Sequence, residues 1–256
     1  MVTAWRQHAP WADDSDVEQD LVISRAVVDL YNDPLIKEQT AFRGGTALHK
    51  IVLAPATRYS DDIDLVFLRN EAIGPVLERI RETLSWIEPK PHYRVVEFPK
   101  FYFRFTTEAG VRRRLKVELA TRETFSAHRT VEVPYAVATR YFTGRTTVRT
   151  YPLEELLATK LRALYQRKKG RDLYDLWHAA QQRDIDMDRL VELFSEYWIA
   201  SGRAPLRRHE VAENMADKAR RGIFADVLPL LVPGAAYDPD AAQAWFAKRV
   251  LPRFPT

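Results

Sequence analysis

The chain has 256 residues, of which 46% are hydrophobic and 29% charged, enough for one large globular domain or two modest ones with a sizeable core. A formal charge of +4 and a pI near 9.2 favour a polyanionic partner only mildly, because the location of a basic patch matters more than the total. With no cysteine there is no disulfide framework or thiolate zinc site, the six histidines lack a metal-ligand spacing, and no segment is apolar for long enough to span a bilayer; a soluble cytoplasmic protein without membrane partners is expected.

Residues 15–31 carry Val17, Leu21, Val27, Val28 and Tyr31 at helical spacing behind the acids Asp13, Asp14 and Asp16, which the helix dipole favours near an N-terminus. The chain's organising stretch is 42–68, FRGGTALHKIVLAPATRYSDDIDLVFL. Gly44 and Gly45 follow a short extended run and open a helical pattern, so backbone amides there can approach a phosphate. On an α-helix Thr46 and Lys50 share one face. Ile63, Leu65 and Phe67 then alternate with Asp62 and Asp64, the period of a strand with two unlike faces. Two carboxylates about 4 Å apart repel by roughly 4 kcal/mol at an effective dielectric near 20, so the pair calls for a cation or a shared proton. Magnesium fits, since it takes oxygen ligands and completes its shell with water and substrate phosphates. A solvated edge strand is the alternative for an isolated D-x-D.

An amphipathic helix is predicted over 71–86, with Gly74 and Pro75 in its first turn. Strands follow at 93–98, 101–107 and 115–121 as an antiparallel meander, with Gly110 in a turn and Arg112, Arg113 and Arg114 on a solvated hairpin arm or in contact with nucleic acid. Glu118 projects from a strand whose other face is apolar, and a neighbour pair with Lys116 is one use for it. Residues 123–150 contain strand-like runs at 128–133, 135–142 and 146–151 without clean alternation, which predicts a connecting arm. Helices then run to the end of the sequence, so two domains are expected, 1–150 and 151–256.

The first C-terminal helix begins at Pro152 with Glu154 and Glu155 in its first turn, and Lys160 lies inside its leucine stripe. Either the lysine stem snorkels past the core or its ammonium meets an anion in a cleft. Gly170 separates that helix from the next, on which Asp172 and Asp175 share a face; an Arg171–Asp175 pair on a solvated helix is the plain reading. Later helices are predicted at 188–200, 205–221 and 238–250. Arg203, Arg207, Arg208, His209, Lys218, Arg220 and Arg221 make this part basic, as a phosphate-backbone surface or a solvated face.

GGTALHK followed by RYSDDIDL resembles the first motif of the AbiEii/AbiGii family of nucleotidyltransferase toxins, within the DNA polymerase β-like superfamily. The leucine-to-lysine spacing from Leu153 to Lys160 resembles the third motif, and Arg167, Lys169, Arg171, Asp172 and Asp175 resemble the last, R-x-K-x-R-D-x-x-D. The resemblance implies an α+β fold, with a mixed sheet and flanking helices in the N-terminal half and an all-helical C-terminal half that completes the active site. It makes Asp62 and Asp64 the metal ligands, leaves Asp61 on the opposite strand face, and offers Glu118 as a third carboxylate. Gly44, Gly45, Thr46 and Lys50 would hold the triphosphate with Lys160, while Arg171, Asp172 and Asp175 orient the helical half over the nucleotide. The implied activity is Mg²⁺-dependent transfer of a nucleoside monophosphate from an NTP to an acceptor, the 3′ end of tRNA, by the toxin of a type IV toxin–antitoxin pair. A winged-helix antitoxin is the implied partner and a monomer the expected state. A small-molecule or protein hydroxyl as acceptor, and a nucleotide-binding protein without turnover, are the alternatives. Ser60, placed by strand periodicity on the face of Asp62 and Asp64, would suppress activity when phosphorylated, a point of antitoxin control; otherwise it ends the Arg58-Tyr59 turn.

Overall fold

A computed structural model describes residues 2–121 and 129–256, which form two compact units, 1–151 and 152–256. In the first, the short helix α1 (Val2–Trp5) precedes α2 (Asp14–Asn32), whose N-cap Asp13 accepts a hydrogen bond from the Ser15 amide at 2.7 Å. The predicted stripe is buried as expected, with Val17, Leu21, Val27, Val28 and Tyr31 all turned inward. Asp33 ends α2 and caps α3 (Pro34–Gln39), a helix absent from the sequence reading because six residues give too short a period to register.

Strand β1 (Thr40–Arg43), α4 (Gly44–Ala47), a π-helical turn (Leu48–Val52) and β2 (Asp62–Phe67) make up the organising stretch. Helix α5 (Gly74–Thr83) starts three residues inside the predicted span, with Pro75 in its first turn. The meander follows as β3 (His92–Val95), β4 (Pro99–Thr106) and β5 (Arg112–Ala120). Among the described residues all of these strands join one seven-stranded mixed sheet in the order β3-β4-β5-β2-β1-β7-β6, where β6 is Val131–Ala138 and β7 is Thr143–Thr150. Strand β2 runs antiparallel to β1 and parallel to β5.

Strands β6 and β7 overturn the expected connecting arm. They form an antiparallel hairpin that joins the far side of the sheet, β7 bridging β1 in parallel at Phe42 and Thr150. The Thr150 hydroxyl fixes that bridge by donating to the Phe42 carbonyl at 2.7 Å. The predicted runs break at Pro134, inside β6, and so cut the alternation of Val133, Tyr135 and Val137 that turns this strand inward, while β7 is mostly polar apart from the buried Val148. The first of the predicted runs begins at His128, outside the described residues.

One face of this sheet is dry. Ile63 and Leu65 of β2, Phe101 and Phe103 of β4, and Leu115, Val117 and Leu119 of β5 pack with Ile23, Val27 and Leu30 of α2 and Val76 and Ile80 of α5. Burying each such side chain contributes about 1.5–3 kcal/mol, and their strict alternation along β2, β4 and β5 leaves the intervening side chains on the open face.

The second unit is helical throughout: α6 (Leu153–Gln166), α7 (Arg171–Gln182), α8 (Met187–Ala200), α9 (Arg208–Arg220) and α10 (Pro239–Arg249). Helix α6 packs on α7 and α8, and α10 on α7. Most of the named basic residues here serve the fold. Arg207 and Arg208 donate to main-chain carbonyls at Thr256, Phe254 and Pro252. Lys218 is buried and donates to the carbonyls of Leu164 and Tyr165 that end α6; burial draws its pKa down to about 8 against the pull of Asp172. Among the described residues no helix is long and apolar enough to cross a membrane.

Candidate active site

The turn between β1 and α4 requires glycine for two separate reasons. Gly44 has φ +81°, a left-handed conformation, and a Cβ there would collide with the Asp64 carboxylate. At Gly45 a Cβ would stand 2.5 Å from Arg58 Nη2 and 2.9 Å from Ser60 Oγ. The glycine pair thus lets the backbone lie directly against the acidic strand. Replacing Gly44 by alanine is expected to cost about 1–2 kcal/mol of backbone strain and, by pushing Asp64 aside, at least about a hundredfold in nucleotide transfer. Steady-state transfer rates alongside a thermal melt check both halves of this expectation.

Asp62 and Asp64 share the open face of β2, half-buried, while Ile63 and Leu65 face the core, as the alternation required. Asp61 precedes the strand and is exposed. Parallel pairing sets Lys116 beside Asp62 and Glu118 beside Asp64. The Lys116 ammonium lies 2.8 Å from Asp62 Oδ2 and 3.6 Å from Glu118, and Lys100 of β4 reaches Glu118 at 2.9 Å. Burial pushes the Asp62 carboxyl up to about 6 despite Lys116, with Asp64 and Asp61 adding to the rise. Burial also works against the Lys116 ammonium, yet Asp62, Asp64 and Glu118 hold its pKa up to about 12. Acids and lysines therefore form a compact alternating patch in which the cations stand where a metal ion would compete.

Among the described residues no group of three or more His, Cys, Asp and Glu stands ready to hold a metal ion, so Glu118 is aligned with Asp64 without forming a finished three-carboxylate cage. The donor set still fits a hard divalent cation. Asp62 and Asp64 offer only oxygen, on one face, against a backbone cradle that a single Cβ would fill, and such an ion keeps water and phosphate oxygens for its remaining positions.

Two expected neighbours of the triphosphate are placed differently. Thr46 and Lys50 do not act together, because the helix widens into the π-helical turn at Leu48. Thr46 Oγ1 is 2.6 Å from the Asp62 carbonyl and 2.9 Å from Ser60 Oγ. Lys50 ends against α2, 2.6 Å from Asp20 Oδ1 and 3.0 Å from Ser24 Oγ. Burial opposes the Lys50 ammonium, and Asp20 more than offsets it, raising its pKa. Ser60 lies ahead of β2 and not within it; its hydroxyl reaches the site through Thr46 and Gly45 rather than through strand alternation.

In the helical unit Lys160 is buried, and the anion it meets is supplied by the chain itself. Its ammonium lies 2.9 Å from Asp175 Oδ2 and 3.6 Å from Asp172 Oδ1, both aspartates being fully buried. Arg167 grips Asp172 with two bonds of 2.7 Å from Nε and Nη2. The solvated-helix reading of Asp172 and Asp175 is therefore set aside, whereas Arg171 opens α7 only partly buried. Asp226 Oδ1 accepts from the Gly170 amide at 2.8 Å and fixes the start of the same helix.

Sequence reasoning missed Asp20, whose two oxygens collect the Trp5 and Trp11 indoles as well as Lys50. An acid in the middle of an apolar helix stripe was the available signal. It also missed Lys100 and the Lys116–Asp62 contact, which depend on which strands become neighbours.

A mixed sheet with a glycine-led helix start against a D-x-D strand is the arrangement of the nucleotidyltransferase fold. The structure is similar to MenT4, a nucleotidyltransferase toxin from Mycobacterium tuberculosis H37Rv, with a TM-score of 0.69 and 23% identity over 99% of this chain and 88% of that one. A nucleotidyltransferase-like antigenic protein from Paracoccidioides brasiliensis aligns over 81% of this chain and 93% of its own at 16% identity and a TM-score of 0.39. The family described as the nucleotidyl transferase AbiEii toxin, of type IV toxin–antitoxin systems, matches residues 25–248, and the chain belongs to it. It is accordingly a nucleotidyltransferase, the toxin of such a system, with an NTP as substrate and an antitoxin as partner. No curated protein matches the sequence.

Proposed function

We propose that this toxin transfers a nucleoside monophosphate from an NTP to the 3′ end of tRNA in the cytoplasm, with Mg²⁺ held by Asp62 and Asp64. The observation that carries the reading is the packing of the Gly44–Gly45 turn against Asp64 on the open face of β2. The amides that open α4 meet the triphosphate, and Thr46 holds the turn to the acidic strand through the Asp62 carbonyl. The acceptor oxygen forms its bond to the α-phosphorus as the bond to the leaving pyrophosphate breaks, and the hydroxyl proton passes to a carboxylate of the site. The metal, when bound, supplies charge neutralisation for the attacking and leaving oxygens. Lys116, already among these acids, is the cation placed to offset the phosphates as they arrive. Glu118, across from Asp64, is the third carboxylate of the proposal. In the helical unit, Lys160, Asp172 and Asp175 form the network that presents Arg171 at the start of α7.

Incubation of the protein with each labelled NTP, Mg²⁺ and total tRNA should transfer label to RNA, and EDTA should abolish the transfer. NTP consumption without labelled RNA would replace tRNA with a small-molecule or protein acceptor. Turnover that persists in excess EDTA would remove the metal assignment. A winged-helix protein that co-purifies and blocks labelling is the expected antitoxin.

Ser60 lies within reach of this site through Thr46, so added negative charge there competes with the nucleotide. Ser60→Glu is expected to lower NTP turnover by about tenfold or more while Ser60→Ala stays near the unmodified protein. Equal rates for the two variants would reject a phosphorylation switch at this serine.

A further inference from the structure

The open face that carries Asp62 and Asp64 does not end at the acids. Strand pairing continues it from Asp62 to Lys116, then to Tyr102 and to His92, and in the adjacent row from Asp64 to Glu118, Lys100 and Arg94. Four strands at about 4.8 Å spacing make a track of roughly 14 Å from the acids to β3. One step along the strands, Arg104 is paired directly across from Arg114, and Arg112 follows. Like charges directly opposite each other in a sheet oppose its stability, and Glu88 offsets only the Arg104 side of this pair.

The surface over these residues is concave. A groove of about 480 Å³ is lined by Arg104, Arg112, Arg113 and Arg114 together with Phe105, Thr106, Gln19 of α2 and Asp61, the residue before the acidic strand. A second, of about 290 Å³, is lined by His92, Arg94, Tyr102, Arg104 and Arg114, so the two grooves share a wall. Rings and guanidinium groups interleave within it. The His92 and Tyr102 rings have centroids 5.9 Å apart at 34°, and the Arg114 guanidinium lies 5.1 Å from the Tyr102 centroid. Glu88 grips Arg104 at 2.7 and 3.0 Å, and Arg113 is turned to Asp16 of α2, whereas Arg94, Arg112 and Arg114 are exposed.

Resting on the proposal that the acceptor is a tRNA 3′ end, we infer that this track is the seat of the acceptor's single-stranded end: Arg94, Arg104, Arg112 and Arg114 hold its phosphates and Tyr102 with His92 takes its bases. Guanidinium groups that follow a backbone beside stacking rings suit a single strand of any sequence, and a duplex would have its bases hidden from those rings. An acidic peptide would satisfy the arginines but leave the ring pair without a use. The track leads straight to the carboxylates where the strand's terminal hydroxyl must react, which ties recognition of the acceptor to the chemistry.

Fluorescence anisotropy with a labelled single-stranded RNA of a tRNA 3′ end, over a salt series, tests the assignment. R112Q/R114Q, which leaves the Arg104–Glu88 pair in place, and R104Q/R114Q should each weaken binding about tenfold or more and flatten the log–log salt slope by about 1.4, the loss of two phosphate contacts on a single strand. In turnover assays the KM for RNA should rise while the KM for NTP holds, and R112K/R114K should recover most of the affinity. R220Q/R221Q, at the C-terminal end of α9, should bind as the unmodified protein does. If the strand variants bind and extend RNA normally, or if R220Q/R221Q is the weaker binder, the acceptor lies elsewhere and the tRNA reading survives without this track. An unmodified protein that neither binds nor extends RNA removes both.

Discussion

Asp64→Asn should lose about a thousandfold or more in nucleotide transfer while the protein melts at or above its original temperature. The substitution removes one of two acids on the open face of β2 and with it the charge that, in the mechanism proposed above, would draw a divalent cation to the phosphates; stabilisation of that kind is worth several kcal/mol in the transition state. Folding does not need this charge. Asp62 keeps its 2.8 Å partner Lys116, Asn fills the same space beside Gly44, and the repulsion that helps push the Asp62 carboxyl up to about 6 is relieved. Loss of activity accompanied by a lower melting temperature would make Asp64 a structural residue. Retention of more than a tenth of the activity would deny it the metal.

Lys160→Met is the counterpart in the helical unit, with its main effect on stability. Lys160 sits between two aspartates that have no access to water, and its removal takes a cation 2.9 Å from Asp175 and 3.6 Å from Asp172, the latter still gripped by Arg167. Breaking a buried pair from one side costs about 3–5 kcal/mol, because the remaining charge is desolvated without compensation. The double variant K160M/D175N, neutral on both sides, should recover more than half of that loss, as replacing whole buried pairs usually does. Denaturant melts of the single and double variants decide the matter. A single variant as stable as the parent would mean that the ammonium is held by something other than Asp175, and a double variant no better than the single would show that the network acts only as a whole.

Much of the candidate site was legible before any fold was known. Gly44, Gly45, Asp62 and Asp64 lie within twenty-one consecutive residues, and their arrangement depends on local rules, a turn that needs φ above zero and a strand that alternates. The boundaries of α2 and the existence of β4 and β5 were legible for the same reason, since their apolar periods are clean, whereas the exposed β3 ends at Val95, three residues short of its predicted span. Lys50 was misread because helical spacing of four assumes an α-helix, whereas the chain turns π-helical at Leu48 and hands the lysine to Asp20. The β6–β7 hairpin was misread as an arm because Pro134 interrupts β6 and β7 is mostly polar, although Val133, Tyr135, Val137 and Val148 turn inward.

By itself, then, the sequence determined the chemical kit: a glycine pair, two acids on one strand face, a lysine in a leucine stripe and an acidic motif on the following helix, all set by neighbours a few residues apart. Tertiary structure decided who meets whom. Pairing of β2 with β5 brought Lys116 and Glu118 to the aspartates from more than fifty residues away, and pairing of β4 with β3 and β5 carried the same face outward to the arginines. In the helical unit, packing of α6 on α7 gave the Lys160 ammonium Asp172 and Asp175 as the anions it meets. Alternation dictates which side of a strand a residue occupies, but the identity of the strand beside it follows from long-range burial of apolar faces, and that information is spread over the whole chain.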